Sequence, residues 1–221
     1  MYPSAHSFIN IHTHCKPRLS NEFAIRNAYL KNVHTTCYPL SYGLHPWYAQ
    51  TIAEEKLHQT LTELTSNPMV WAIGEIGLDR SNGPDIAIQI RMLEVQLMIA
   101  EQNKLPVIWH VVRSFSDILP FIKNFRVQHI IHQFNGNLTE AKRLIDMGCL
   151  LSFGKNLFNY KSDDVLRRIP TSAILLETDT ASHLHIGDIY EKAAEIRKTE
   201  MTVLKAQVFY NFEQIFGKHR Q

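Results

Sequence analysis

The stretch Phe8-Ile9-Asn10-Ile11-His12-Thr13-His14 reads as a short apolar strand ending in two histidines spaced two apart. Side chains alternate faces along a strand, so His12 and His14 project together while Thr13 points to the other side. Two imidazoles held that way make half of a divalent metal site. The plainer alternative is a pair of hydrogen-bonded histidines at a strand end. The rest of the chain decides between the two.

Downstream, strand and helix patterns alternate, and the strands keep ending in polar groups. Residues 39–47 read as a strand broken by Pro46, with His45 at its end. Thr51 caps a predicted helix running to about Thr65, with Ile52, Leu57, Leu61 and Leu64 as its apolar stripe. Residues 70–79 form a nearly continuous apolar run, as expected of a parallel strand buried on both faces, and Glu75 interrupts the run at its end. An amphipathic helix is expected over 86–102, then a strand over 105–110 ending in His110. A helix starts at Ser114, and a strand over 127–132 ends in His132. Residues 138–147 are helical, stopped by Gly148. A strand over 149–153, a short helix over 163–168 and a strand over 173–179 ending in carboxylates follow. Helices near 188–198 and 202–216 close the chain. Residues 22–30 fit either a brief strand or one or two helical turns.

This alternation implies parallel strands joined by right-handed crossovers. The expected fold is α/β, a (β/α)8-type TIM barrel with a shortened or incomplete early βα unit. A barrel beats an open sheet because it converges the polar strand ends on one face.

A chain of 221 residues suits one domain, here 1–221, with a full core. A hydrophobic content of 45% and a charged content of 20% are ordinary for a globular enzyme. A net charge of +2 is too near neutral to draw nucleic acid by a global field, so such contact would rest on local basic groups. The three cysteines, Cys15, Cys37 and Cys149, lack C-x-x-C spacing. That argues against a disulfide framework or a thiolate zinc cluster and fits a reducing cytoplasm. No window is long and apolar enough to span a membrane, and no signal-peptide pattern opens the chain. No membrane partner is expected.

Collected, the strand-end residues are His12, His14, Glu75, His110, His132 and Asp179. Nitrogen and oxygen donors of this kind suit one or two divalent ions. His12, His14 and Asp179 would hold one ion, His110 and His132 a second, with Glu75 as the bridging carboxylate. An unpaired charge ending an apolar strand is unfavourable, and a nearby cation resolves it for both Glu75 and Asp179. A bound metal lowers the pKa of water from roughly 16 toward about 7, which makes hydroxide available at neutral pH. Asp179 then has two possible jobs, ligand or the base that orients and deprotonates that water.

His12-Thr13-His14, Gly43-Leu44-His45-Pro46, Gly74-Glu75-Ile76-Gly77-Leu78-Asp79, Pro106-Val107-Ile108-Trp109-His110, His132-Gln133-Phe134-Asn135-Gly136 and Leu175-Leu176-Glu177-Thr178-Asp179 together resemble the successive motifs of TatD-family metal-dependent hydrolases. These belong to the amidohydrolase-like TIM-barrel superfamily, and the resemblance runs from residue 8 to about 216. It implies a divalent-metal deoxyribonuclease or phosphodiesterase, commonly cutting DNA from a 3′ end, with magnesium or manganese as cofactor, whereas the imidazole-rich donors by themselves suit zinc, manganese or nickel. All six residues matching the family's metal ligands are filled. Asn10 stands where the family usually has an acidic residue, and Thr180-Ala181 replaces its usual Ser-Pro pair.

On the substrate side, His45 matches a position lining the family's pocket. Arg113, three residues past His110, offers a guanidinium fork to a phosphate. Lys155, with Asn156, follows a strand end and either touches a nucleic-acid backbone or belongs to an ordinary surface loop. Glu177 is a candidate to steady a ligand histidine. His6, His34, His58, His129 and His219 read as structural or surface residues, and His183 and His185 as loop residues. The alternative function is a small-molecule amide, lactone or phosphoester hydrolase using the same metal site. A protein with a purely structural metal fits poorly, since such sites are usually closed and cysteine-rich.

Overall fold

The structure, a computed structural model, describes residues 2–30, 38–160 and 162–217; His34, Cys37 and His219 lie outside the described residues. Its strands are β1 (Phe8–Thr13), β2 (Glu22–Tyr29), β3 (Leu40–Gly43), β4 (Val70–Asp79), β5 (Val107–Val112), β6 (His129–Ile131), β7 (Leu150–Phe153) and β8 (Ile174–Leu176). Its helices are α1 (Glu54–Thr65), α2 (Ile86–Gln102), α3 (Phe115–Asn124), α4 (Leu138–Asp146), α5 (Asp163–Arg168), α6 (Ile186–Arg197) and α7 (Met201–Phe216). The eight strands hydrogen-bond in chain order, and a bridge between Thr13 and Asp179 sets the chain beyond β8 beside β1. Parallel strands in that order, alternating with helices, are the (β/α)8 pattern of a TIM barrel. Among the described residues no helix follows β1 or β2, which is the shortened early portion expected.

Residues 22–30, open between strand and helix in the sequence, form β2. Thr51 is not a helix cap. Its hydroxyl donates to the Tyr48 carbonyl at 2.7 Å, and α1 begins two residues past Ile52, after Ala53. Glu75 and His110 do not end their strands, since β4 continues to Asp79 and β5 to Val112. β8 is shorter than the apolar run implied and stops at Leu176. Gly148 does end α4, taking a φ of +86° that a side chain would strain.

The chain forms two compact units, Met1–Arg26 with His132–Gln221, and Asn27–Ile131. In the first, buried Tyr190 of α6 clamps β1 three residues before His12. Its hydroxyl accepts from the Ile9 amide at 3.0 Å and donates to the Ile9 carbonyl at 3.1 Å. Asn211 of α7 donates to the carbonyls of Thr171 and Ile174, both at 2.8 Å, fixing where β8 starts. Ile9, Ile11, Leu175 and Phe212 are buried here, each contributing roughly 1.5–3 kcal/mol by leaving water.

In the second unit every residue of β4 is buried. Two buried glutamines seven apart on α2 replace the apolar contacts expected there. Gln96 accepts from the Leu44 amide at 2.6 Å and donates to its carbonyl at 3.2 Å. Gln89 accepts from the Asp79 amide at 2.8 Å and donates to its carbonyl at 2.9 Å. A spacing of seven is two helical turns, so both side chains leave the same face. Each carboxamide satisfies the backbone of a residue in or beside the candidate site.

Candidate metal-binding clusters

Within the first unit, β1 delivers His12, which is fully buried, and His14, which is partly exposed. Their Nε2 atoms lie 3.7 and 3.5 Å from Asp179 Oδ1. Asp179 is set by the backbone: its amide donates to the His12 carbonyl at 3.0 Å, and its carbonyl accepts from the His14 amide at 3.2 Å. The His132 ring, just past β6, packs with its centroid 4.7 Å from that of His12. Glu177 accepts from His132 Nδ1 at 3.0 Å, which directs Nε2 as the ring's donor lone pair. Asn10 ties this corner together. Its Nδ2 donates to Glu22 and to Thr178 Oγ1 at 2.8 and 2.9 Å, and its Oδ1 accepts from the Thr178 amide at 3.0 Å. A neutral amide thus does structural work where the family usually places an acid.

Within the second unit, Glu75 stands in a bulge of β4. Gly74 pairs with Ile108 and Ile76 with Trp109, so Glu75 is the extra residue, an arrangement that re-aims a side chain. Gly77 allows the close approach of β5, for a Cβ there would lie 2.1 Å from the His110 carbonyl oxygen. His110 contacts two carboxylates, Glu75 through Nδ1 at 2.7 Å and Asp79 through Nε2 at 3.3 Å. The Nε2 of His45 lies 3.4 Å from Glu75 and 3.2 Å from His110, while its Nδ1 accepts from the Trp47 amide. Burial alone would raise the Asp79 carboxyl. The Trp47 indole at 2.7 Å, the Ser81 amide and His110 outweigh it and hold the group below the usual carboxylate value.

These donor sets fit a divalent cation. His12, His14 and Asp179 in one unit, and His45, Glu75 and His110 in the other, each place three ligand atoms within 4.8 Å of one another. They are imidazole nitrogens and carboxylate oxygens, the donors that zinc, manganese and magnesium accept. A neutral imidazole carries a single N–H and cannot donate to both Glu75 and Asp79.

Lys155, on the helical turn after β7, reaches Asp179 Oδ2 and Thr180 Oγ1, both at 3.3 Å. Arg113 follows β5 with φ +52° and is exposed, and no hydrogen bond joins it to His45, Glu75 or His110. His183 and His185 are exposed. His129 is structural: its Nδ1 accepts from the Trp109 indole at 3.0 Å and its Nε2 donates to the Phe125 carbonyl at 3.2 Å. Asp79 is the site residue that sequence reasoning passed over. Like Glu75, Asp79 is a carboxylate in the nearly continuous apolar run of residues 70–79.

A (β/α)8 barrel furnished with imidazole–carboxylate clusters is the architecture of a metal-dependent hydrolase. The chain belongs to the TatD family: the family model described as TatD related DNase matches residues 7–217. It is 33% identical over 158 residues to an uncharacterized metal-dependent hydrolase of Haemophilus influenzae, covering 65% of this chain and 58% of that one. To a protein of Schizosaccharomyces pombe named deoxyribonuclease Tat-D it is 27% identical over 159 residues, covering 65% of this chain and 51% of that one. The matched segments thus span little more than half the length of these curated relatives. Among solved structures, the TatD homologue YjjV of Escherichia coli superposes with a TM-score of 0.82 at 23% identity, covering 97% of this chain and 99% of that one. A TatD-family hydrolase of Entamoeba histolytica gives 0.76 at 18% identity, with 95% and 98% covered. Both share the fold.

Proposed function

We propose that residues 1–221 act as one hydrolase domain, a divalent-metal-dependent phosphodiesterase that degrades DNA from a 3′ end. The observation that carries this reading is the gathering of His12, His14 and Asp179 around one point. His12, His14, His132 and Asp179 serve as ligands from the first unit, Glu75 and His110 from the second. A bound divalent ion would polarise the phosphodiester and lower the pKa of a water. Asp179 would orient an attacking water and accept its proton through one carboxylate oxygen, while the other meets Lys155. Glu177 holds His132 in one tautomer. Lys155 and Arg113 supply cationic contacts to phosphate oxygens.

Support for a DNA substrate comes from the relatives named deoxyribonuclease. The free thiols of Cys15 and Cys149 are in keeping with a cytoplasmic setting, and no helix of the described residues is long and apolar enough to cross a membrane. The test is elemental analysis of the purified protein beside an assay on 3′-labelled single-stranded DNA. Degradation is expected with Mg²⁺ or Mn²⁺ and should stop with chelator. Metal-loaded protein that leaves DNA intact but opens small amide, lactone or phosphoester substrates would replace this reading with the small-molecule one.

A further inference from the structure

A cavity of about 470 Å³ lies in the Asn27–Ile131 unit, with Tyr29, Leu44, His45, Tyr48, Ile52 and Lys56 in its wall. Its size falls within the roughly 300–1,000 Å³ typical of small-ligand sites. It has room for one base and its sugar but not for a duplex. His45 belongs both to this wall and to the cluster with Glu75 and His110, 3.4 and 3.2 Å from its Nε2. A group held in the cavity is therefore separated from the candidate metal ligands by one imidazole ring.

Tyr29 and Tyr48, 50% and 47% exposed, both contribute aromatic rings to a largely apolar wall. Aromatic faces stack planar rings without regard to base identity. Some of the polar groups in this wall are engaged elsewhere, while the Thr60 hydroxyl also lines it. Both backbone groups of Leu44 bond Gln96, and the Thr51 hydroxyl bonds the Tyr48 carbonyl. Lys56 supplies a cation in the same wall, suited to a phosphate.

We propose that this cavity is a base-binding subsite, taking the nucleobase beside the cleaved phosphodiester on Tyr48 and Tyr29, with Lys56 toward a neighbouring phosphate. The proposal rests on the phosphodiesterase reading above and adds to it a sequence-tolerant grip on the end of the strand.

The experiment is calorimetric titration of the metal-loaded protein with thymidine 5′-monophosphate and with 2-deoxyribose 5-phosphate, which lacks the base. The nucleotide should bind more tightly by roughly tenfold or more, the scale of one stacked base. Tyr48→Ala should erase the difference between the two ligands and Tyr48→Phe should keep it. Tyr29→Ala provides the same test if Tyr48→Ala does not fold. Equal affinity for the two ligands, or a difference untouched by both alanine variants, overturns the subsite. The same proteins are assayed on DNA with an intact or an abasic 3′ residue. Tyrosine-dependent nucleotide binding without any DNA cleavage would retain the subsite and sink the nuclease reading. Cleavage of both ends at equal rates, in wild type and variants alike, would do the reverse.

Discussion

Glu177, fully buried, accepts a hydrogen bond from His132 Nδ1 at 3.0 Å. A carboxylate in that position fixes the imidazole's tautomer, so that Nε2 is the nitrogen offered to a metal, and raises its basicity. Glu177→Gln should therefore weaken Mn²⁺ or Zn²⁺ affinity by roughly 10–100-fold with little change in thermal stability. Competition with a fluorescent chelator measures it. An unchanged affinity would show that His132 is a packing residue.

The carboxamide of Gln96 carries the backbone of Leu44, the residue before His45. Gln96→Leu leaves a buried amide and carbonyl unpaired, at about 1–3 kcal/mol each. Urea denaturation should show a loss of that order, with m unchanged. A variant as stable as wild type would mean that water or a local shift re-satisfies Leu44.

Buried His129 has its imidazole pKa held below the usual value, by burial above all. A folded pKa below the unfolded one means the unfolded chain binds the extra proton. Its stabilising contribution is thus complete above about pH 6.5 and fades as pH falls through the folded value. His129→Gln should flatten the fall in stability below pH 6.5, read from chemical denaturation at several pH values. Parallel profiles for the two proteins would contradict this.

Burial pushes the Cys149 thiol up to about 12, whereas Cys15 is partly exposed. Iodoacetamide at pH 8 should alkylate Cys15 and spare Cys149 until denaturant is added, as read by peptide mass spectrometry. Rapid native labelling of Cys149 would show that α4 and β7 open far more readily than their packing implies.

The strand–helix rhythm and the strand-borne histidines were legible because both repeat with local period. The His12 and His14 rings lie together, as do Glu75 and His110. Contacts between distant segments left no such trace. The Gln89–Asp79 and Gln96–Leu44 clamps join residues 10 and 52 apart, and nothing local marks those glutamines as buried. Residues 22–29 were ambiguous because burial there follows neither period cleanly: Phe23, Ala24 and Ile25 are all buried in succession. Thr51 has the chemistry of a helix cap but spends its hydroxyl on the preceding turn. The place of Asn10 could be seen in the sequence, but its role in binding Glu22 and Thr178 needed the fold.

The most direct measurement is calorimetric titration of Mn²⁺ into chelator-treated wild type, Glu75→Ala and Asp179→Ala, with circular dichroism to confirm that each is folded and the labelled-DNA assay run alongside. Wild type should bind Mn²⁺ and regain DNA hydrolysis, while both variants stay folded, lose at least one ion and fall to background cleavage. Wild-type protein that takes up no divalent metal, or variants that bind and cleave as it does, would contradict the assignment of these carboxylates.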